Sequence, residues 1–215
     1  MNNTNIILVL VVLTNLKLLG SSRLGASIRV VAMQGVVLGL LPILAHTNEL
    51  SVRFAVLAAG TIALKGIVFP WFLFRAVREA EVTREVEPYV GYVTSLLAGV
   101  LILAVSFWMC ERLPMPETLA SSWLAPVAFF SIFAGLFLIV SRKRAVSQVL
   151  GFLVLENGVY AFGVGLAPHT SLLVEAGVLL DVFVAVFVMG ITIFHINREF
   201  DHIETNRLNT LKDRP

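Results

Sequence analysis

Seven apolar stretches, separated by short breaks rich in charge, proline or polar turn residues, run through the chain and constrain its fold more than any other feature. They cover approximately residues 5–19, 28–45, 52–74, 89–110, 119–140, 146–166 and 172–196. A hydrocarbon core about 30 Å thick needs roughly 20 apolar residues in a helix, and fewer where flanking side chains snorkel. Each stretch predicts a transmembrane helix, and together they predict an all-α, polytopic bundle of about seven helices. Composition agrees. With 58% hydrophobic and 14% charged residues among 215, the chain has too little polar surface to clothe a water-soluble globule of this size. The first stretch lacks the basic lead-in and small-residue cleavage site of a signal peptide, so residues 6–19 are expected to remain as a mature first helix.

Basic residues set the expected orientation, because loops rich in Lys and Arg are held in the cytoplasm during insertion. Lys17, Arg23, Arg29, Arg75, Arg78, Arg84, Arg142, Lys143, Arg144 and the tail residues Arg198, Arg207, Lys212 and Arg214 fall on one side of the predicted bundle. Only Arg53 and Arg112 fall on the other. An odd number of spans then places the N-terminus outside and the C-terminus in the cytoplasm. The net charge of +2 is dispersed in these clusters rather than along one face, which reads as topology and excludes a nucleic-acid footprint. Pro114, Pro116 and Pro168 fall in predicted turns. Pro42, Pro70 and Pro126 fall inside predicted spans, where neighbours must satisfy the freed backbone groups.

Enzymatic chemistry finds no foothold in the residue pattern. The single Cys110 makes neither an intramolecular disulfide nor, alone, a zinc or iron–sulfur site. No Gly-rich phosphate loop, nucleophile elbow, metal-ligand cluster or haem-binding pattern is present, so no catalytic, cofactor-binding or metal-binding residue is expected. Small-residue steps, Gly91 with Ser95 and Gly99 and Ala161 with Gly165, suit close helix contacts.

The informative residues are charges inside the predicted spans, because an ionisable group at the bilayer centre costs about 2.5–3.5 kcal/mol and needs a partner, a hydrated cavity or a function. Lys65 lies in the third span, Glu156 in the sixth, and Glu175 and Asp181 in the seventh. Helix geometry separates the last two by about 9 Å along the axis and about 240° around it, so they need not act as a pair. Gln34, Gln148 and Asn157 are candidates to hydrogen-bond these groups or hold water between them. His195, near the inner end of the last span, is placed to admit protons, whereas His46 and His169 read as interfacial residues. Low dielectric strengthens a carboxyl group's hold on its proton and a neighbouring lysine weakens it, so such a pair exchanges a proton as separation or hydration changes. That is the requirement for a proton relay. A static ion pair joining helices, and a substrate site in a small-molecule carrier, are the competing readings.

A faint internal echo is also visible. GVVLGLLPILAHT over residues 35–47 and GVYAFGVGLAPHT over residues 158–170 both begin Gly-Val, end His-Thr and precede a span carrying an Ala-Gly pair and then an intramembrane charge, Lys65 or Asp181. If it is a duplication, the two copies share one orientation.

The segment SRKRAVSQVLGFLV, the LENG of Leu155 to Gly158 and the following EAGVLLDVFVAVFVMGI resemble the hydrogenase-4 component E family. The resemblance extends to the second-span stretch from Arg23 to Gln34, to Lys65 followed by Pro70, and to the terminus from Arg207 to Lys212. The last three spans are also similar to the K subunit of respiratory complex I and the C subunit of multisubunit cation/proton antiporters, which carry one acid in each of their last two helices. Glu156 and Asp181 match those acids by position. Asp181 departs in being shorter than the usual glutamate, and the four preceding spans depart from that small subunit while fitting component E. On this resemblance the chain divides into a four-helix membrane unit (1–112), a K-subunit-like three-helix unit (113–197) and a cytoplasmic tail (198–215).

What the resemblance implies is a non-catalytic membrane-arm subunit of an energy-converting group 4 nickel–iron hydrogenase complex, such as a formate hydrogenlyase, in a bacterial or archaeal inner membrane. The nickel–iron centre and iron–sulfur clusters would belong to partner subunits and none to this chain. Its partners would be antiporter-like membrane subunits, a membrane subunit like the H subunit of complex I and soluble hydrogenase subunits. Glu156, Asp181, Lys65 and Glu175 would stand on a lateral proton path. The alternative is a subunit of a multisubunit cation/proton antiporter with no redox partner.

Overall fold

The structure is a computed structural model that describes residues 3–41, 59–79, 88–114 and 123–166. The seventh predicted span, with Glu175, Asp181 and His195, lies outside the described residues, as do Pro42, His46 and His169. The described residues are helical throughout: α1 (Asn3–Leu19), α2 (Leu24–Gly39), α3 (Ala59–Arg78), α4 (Tyr92–Arg112), α5 (Leu124–Ser141) and α6 (Ala145–Leu166), with no strand. The helices α3 to α6 are long and apolar enough to cross a membrane, and α1 and α2 are shorter apolar helices. At 1.5 Å per residue, 18–21 residues give about 30 Å, the thickness of the hydrocarbon core. Large apolar side chains stand exposed around the bundle, including Leu13, Ile67, Val140 and a row on α4 of Val93, Leu97, Val100, Leu101 and Val105. An apolar exterior of this extent calls for lipid or partner helices as its surroundings, and the chain is a membrane protein.

Local sequence explains where the helices stop. Gly20 and two serines end α1, with the Gly20 amide closing on the Leu16 carbonyl (3.1 Å), and α2 starts after Arg23, whose carbonyl receives both the amide and the hydroxyl of Ser27 (3.0 and 3.1 Å). The connection is short, and α1 and α2 pack as neighbours. Between α5 and α6 only Arg142, Lys143 and Arg144 intervene, and these two helices make the most extensive contact in the bundle. Pro126, expected to need repair inside a span, instead occupies the first turn of α5, where a missing amide hydrogen costs nothing to the helix. Pro70 follows a π-helical turn over Leu64–Val68, in which the Phe69 amide bonds back to the Leu64 carbonyl. A regular turn would drive the proline ring into the carbonyl four residues earlier; the wider turn eases that clash and reshapes the backbone that carries Lys65.

Glycine lets the helices approach. A Cβ on Gly135 of α5 would lie 2.5 Å from the Leu155 nitrogen and 2.6 Å from the Gly151 oxygen, and one on Gly158 of α6 would lie 2.7 Å from the Ile132 nitrogen. Only hydrogen fits between these backbones. Of the small-residue steps expected from sequence, Ser95 and Gly99 do face inward on α4, Gly99 against Leu16 and Leu19 of α1.

The apolar interior forms two clusters, and the order of residues along each helix shows what lies between them. One gathers Leu18, Leu19, Ile28, Val31, Ala134, Leu138, Val149 and Val154, the other Leu8, Val11, Leu38, Leu41, Ala125, Ala128 and Ala161. Thr14 and Asn15 separate them on α1, Gln34 on α2, Ser131 on α5, and Glu156 and Asn157 on α6; each of these side chains is buried. A polar belt crosses the middle of the bundle, sandwiched by apolar packing on both sides.

Candidate functional site: a charged pair in the polar belt

Two charges meet in the belt. The Lys65 Nζ lies 2.9 Å from the Glu156 Oε1, with the lysine 5% and the glutamate 2% exposed, so neither is solvated by bulk water. The same ammonium donates to the Asn157 Oδ1 at 3.1 Å and sits 5.2 Å from the centroid of the Tyr160 ring. Glu156, Asn157 and Tyr160 share one face of α6, while Lys65 arrives from the π turn of α3, so the pair ties the third helix to the sixth. Its stem rests against α2: a Cβ on Gly35 would come within 2.6 Å of the Lys65 Cβ, and one on Gly66 within 2.7 Å of Val36. These glycines let the lysine lie flat between α2 and α6.

Glu156 is satisfied on one side only. Its Oε1 holds Lys65, whereas its Oε2 is buried with no hydrogen-bond partner among the described residues. A buried carboxylate oxygen without a donor is costly when ionised, and the cost vanishes where that oxygen carries a proton and finds an acceptor or a water. Chemically, then, the pair offers a fixed charge contact and one carboxylate oxygen able to take a proton.

From Asn157 the polar contacts continue away from the charges. The Asn157 Nδ2 donates to the Gln34 Oε1 (3.2 Å), the Gln34 Nε2 to the Asn15 Oδ1 (2.8 Å) and to the Thr14 Oγ1 (3.2 Å), and the Asn15 Nδ2 to the Ser131 Oγ (2.8 Å). Five interhelical hydrogen bonds thus join α1, α2, α3, α5 and α6 at one depth. In a membrane such bonds contribute about 0.6 kcal/mol each, roughly 3 kcal/mol together, less than the insertion cost of two separate central charges. Mutual neutralisation of Lys65 and Glu156 must supply the rest. An apolar pair of the same size would hold the helices at least as well, so stability alone does not account for these residues.

Of the residues singled out from sequence, the structure brings Lys65, Glu156, Asn157 and Gln34 together. Gln148 lies eight residues before Glu156, about 12 Å along the helix, and donates to the Arg142 carbonyl at 3.1 Å. Thr14, Asn15 and Ser131 were not among the expected site residues. Arg142, counted from sequence as a loop cation, is buried: its Nη2 donates to the Leu19 carbonyl (2.6 Å), and its guanidinium lies 4.7 Å from the Tyr92 ring centroid. It faces a small cavity lined in part by Ser21, Ser27 and Ser147. No group of three or more His, Cys, Asp or Glu side chains able to hold a metal ion occurs among the described residues.

Comparison with known proteins gives the chain its relatives. No family model matches the chain, and no solved structure matches it. Hydrogenase-4 component E of Escherichia coli K12 is 31% identical over 119 residues, covering 55% of this chain and 54% of that protein, and component E of Shigella flexneri is similar to the same extent. The chain thus matches about half the length of those relatives. The uncharacterized protein Rv0085 of Mycobacterium tuberculosis is 32% identical over 203 residues, covering 94% of this chain and 92% of that protein. A match of that extent spans both charges of the belt and nearly every helix around them, and the chain belongs to the family of this mycobacterial protein.

Proposed function

We propose that the chain is a non-catalytic membrane-arm subunit of a redox-driven, ion-translocating complex of the hydrogenase-4 type, in which Lys65 and Glu156 are a station on a lateral proton path. The observation that carries this reading is the ion pair at mid-bundle, buried on every side yet left with an open carboxylate oxygen. The partial similarity to hydrogenase-4 component E supports membership in a multisubunit complex. On this reading the soluble partners carry the nickel–iron and iron–sulfur chemistry, and the membrane partners are antiporter-like subunits and one like the H subunit of complex I. Residence is in the inner membrane of a bacterium or archaeon.

Coulomb energy gives the station its sense. While Glu156 is ionised it neutralises Lys65 across 2.9 Å; once its Oε2 takes a proton, the lysinium loses its counter-charge and its attraction turns to the next acid along the path. Asp181 and Glu175 of the last span are the acids we assign to that role, with His195 as the entry group. Charge moves through the membrane plane without any redox group in this chain.

Purification of the tagged chain from native membranes in a gentle detergent, with mass spectrometry of what accompanies it, tests the assignment. Companions are expected to include a nickel–iron hydrogenase large subunit together with antiporter-like subunits. Antiporter subunits without a redox protein, and transport that depends on sodium, would replace it with membership in a cation/proton antiporter.

A further inference from the structure

The hydrogen bonds of the belt have a direction, and two hydroxyls fix it. The Ser131 Oγ gives its hydrogen to the Val127 carbonyl (2.9 Å), so toward Asn15 it can only accept. Asn15 must present its Nδ2 there and its Oδ1 to Gln34. The Thr14 Oγ1 likewise gives its hydrogen to the Leu10 and Val11 carbonyls (2.8 and 2.9 Å), so it too accepts from Gln34. Both hydrogens of the Gln34 Nε2 are then in use, and its Oε1 faces Asn157. Asn157 answers with its Nδ2 and turns its Oδ1 to Lys65. Each amide orientation follows from the one before it, and the chain runs donor to acceptor from Lys65 to a backbone carbonyl.

This polarity matters at the lysine. An acceptor aimed at Nζ serves both the ammonium, which it holds more strongly, and the neutral amine, since both have an N–H to give. What changes on proton transfer is the Glu156 contact: the ammonium donates to the Glu156 Oε1, while the amine, its lone pair freed, accepts from a protonated Oε1. One N–H bond breaks and one O–H bond forms, the pair's net charge is unchanged, and Nζ need not move. The amides themselves carry no proton onward, because each would have to pass through its imidic acid tautomer.

We propose that Gln34 and Asn15 are positioning residues for this transfer: through Asn157 they hold Lys65 as a donor in both of its protonation states, so that the proton it shares with Glu156 moves without Asn157 turning. The proposal rests on the proton-path reading, and two substitutions of one residue test it in the purified complex reconstituted into vesicles. Gln34→Met removes the chain's middle link at nearly constant volume and is expected to lower the ratio of protons translocated to electrons transferred about tenfold at every pH, the scale of the Asn157 hydrogen bond to the charged Lys65 that Gln34 no longer holds in place. Gln34→Glu, while its carboxyl is protonated, accepts from Asn157 and gives its one O–H to Asn15; on ionisation it has no hydrogen to give, faces the Asn15 Oδ1 with a second acceptor, and the chain breaks at that link. Its coupling ratio is therefore expected to match wild type at acid pH and to fall as pH rises, a profile absent from wild type. A wild-type ratio in Gln34→Met complexes, or a wild-type pH profile in Gln34→Glu, would overturn the proposal; if Gln34→Met does not assemble, the glutamate profile alone decides. Full coupling in Glu156→Gln would instead remove the proton-path reading itself.

Discussion

Glu156→Gln is expected to leave the complex assembled and its soluble redox reaction running while reducing coupled proton translocation to background. Glutamine retains an oxygen for the Lys65 Nζ, which in the wild type is 2.9 Å from Oε1, but it replaces the open Oε2 by an amide that takes up no proton. The converse change, Lys65→Met, leaves a carboxylate without its cation among apolar neighbours; removing one member of a buried pair costs about 3–5 kcal/mol unless the survivor is neutralised. Lower yield of assembled complex is the expected result for Lys65→Met. The double substitution Lys65→Met with Glu156→Gln separates structure from function. It is expected to recover assembly, since no isolated charge remains, without recovering translocation. Proton movement into vesicles, followed by a pH-sensitive dye while the redox reaction is assayed separately, measures both. Recovery of translocation in the double variant would mark the pair as a static strut.

The second large effect concerns packing. Gly135→Ala places a methyl group 2.5 Å from the Leu155 nitrogen and 2.6 Å from the Gly151 oxygen, distances that no side-chain rotation relieves because the atoms met are backbone. Overpacking a core costs about 1–3 kcal/mol where side chains can yield; here two helices must separate, so the cost is expected at or above the upper end. Leu155 adjoins Glu156, and the displacement is transmitted to the ion pair. Thermal unfolding of the purified chain in detergent is expected to shift down by several degrees for Gly135→Ala and Gly158→Ala. Gly60→Ala is the control: among the described residues nothing lies within 4 Å of its added carbon, and no shift is expected.

Sequence made the charges legible and left their geometry open. Lys65 and Glu156 stand out because ionisable residues are rare among apolar runs, and the amides Gln34 and Asn157 stand out for the same reason. Which carboxylate meets Lys65 depends on how α3 packs against α6, which no periodicity within either helix encodes. Thr14 and Ser131 escaped notice because hydroxyls in membrane helices commonly bond their own backbone, as both indeed do, and Asn15 because it stands near the end of the first predicted span, two residues before Lys17, where a polar side chain reads as interfacial. A usable signal was present. Each copy of the internal echo is preceded by an amide, Gln34 before Gly35 and Asn157 before Gly158, and these two amides bond to each other in the belt. Arg142 shows the opposite failure: beside Lys143 and Arg144 it read as a loop cation, yet it turns inward, its guanidinium lying against the Tyr92 ring and capping the carbonyl of Leu19. The membrane character of the chain needed no geometry, because the length and apolarity of the runs decide it.

That Glu156 loads and releases a proton is the centre of this account, and infrared difference spectroscopy on the assembled complex tests it most directly. Spectra recorded between resting and turning-over states, in water and in heavy water, are expected to contain a carboxylic-acid carbonyl band that shifts with the solvent isotope and disappears in Glu156→Gln. A difference spectrum with no such band, or with the band intact in Glu156→Gln, would contradict it.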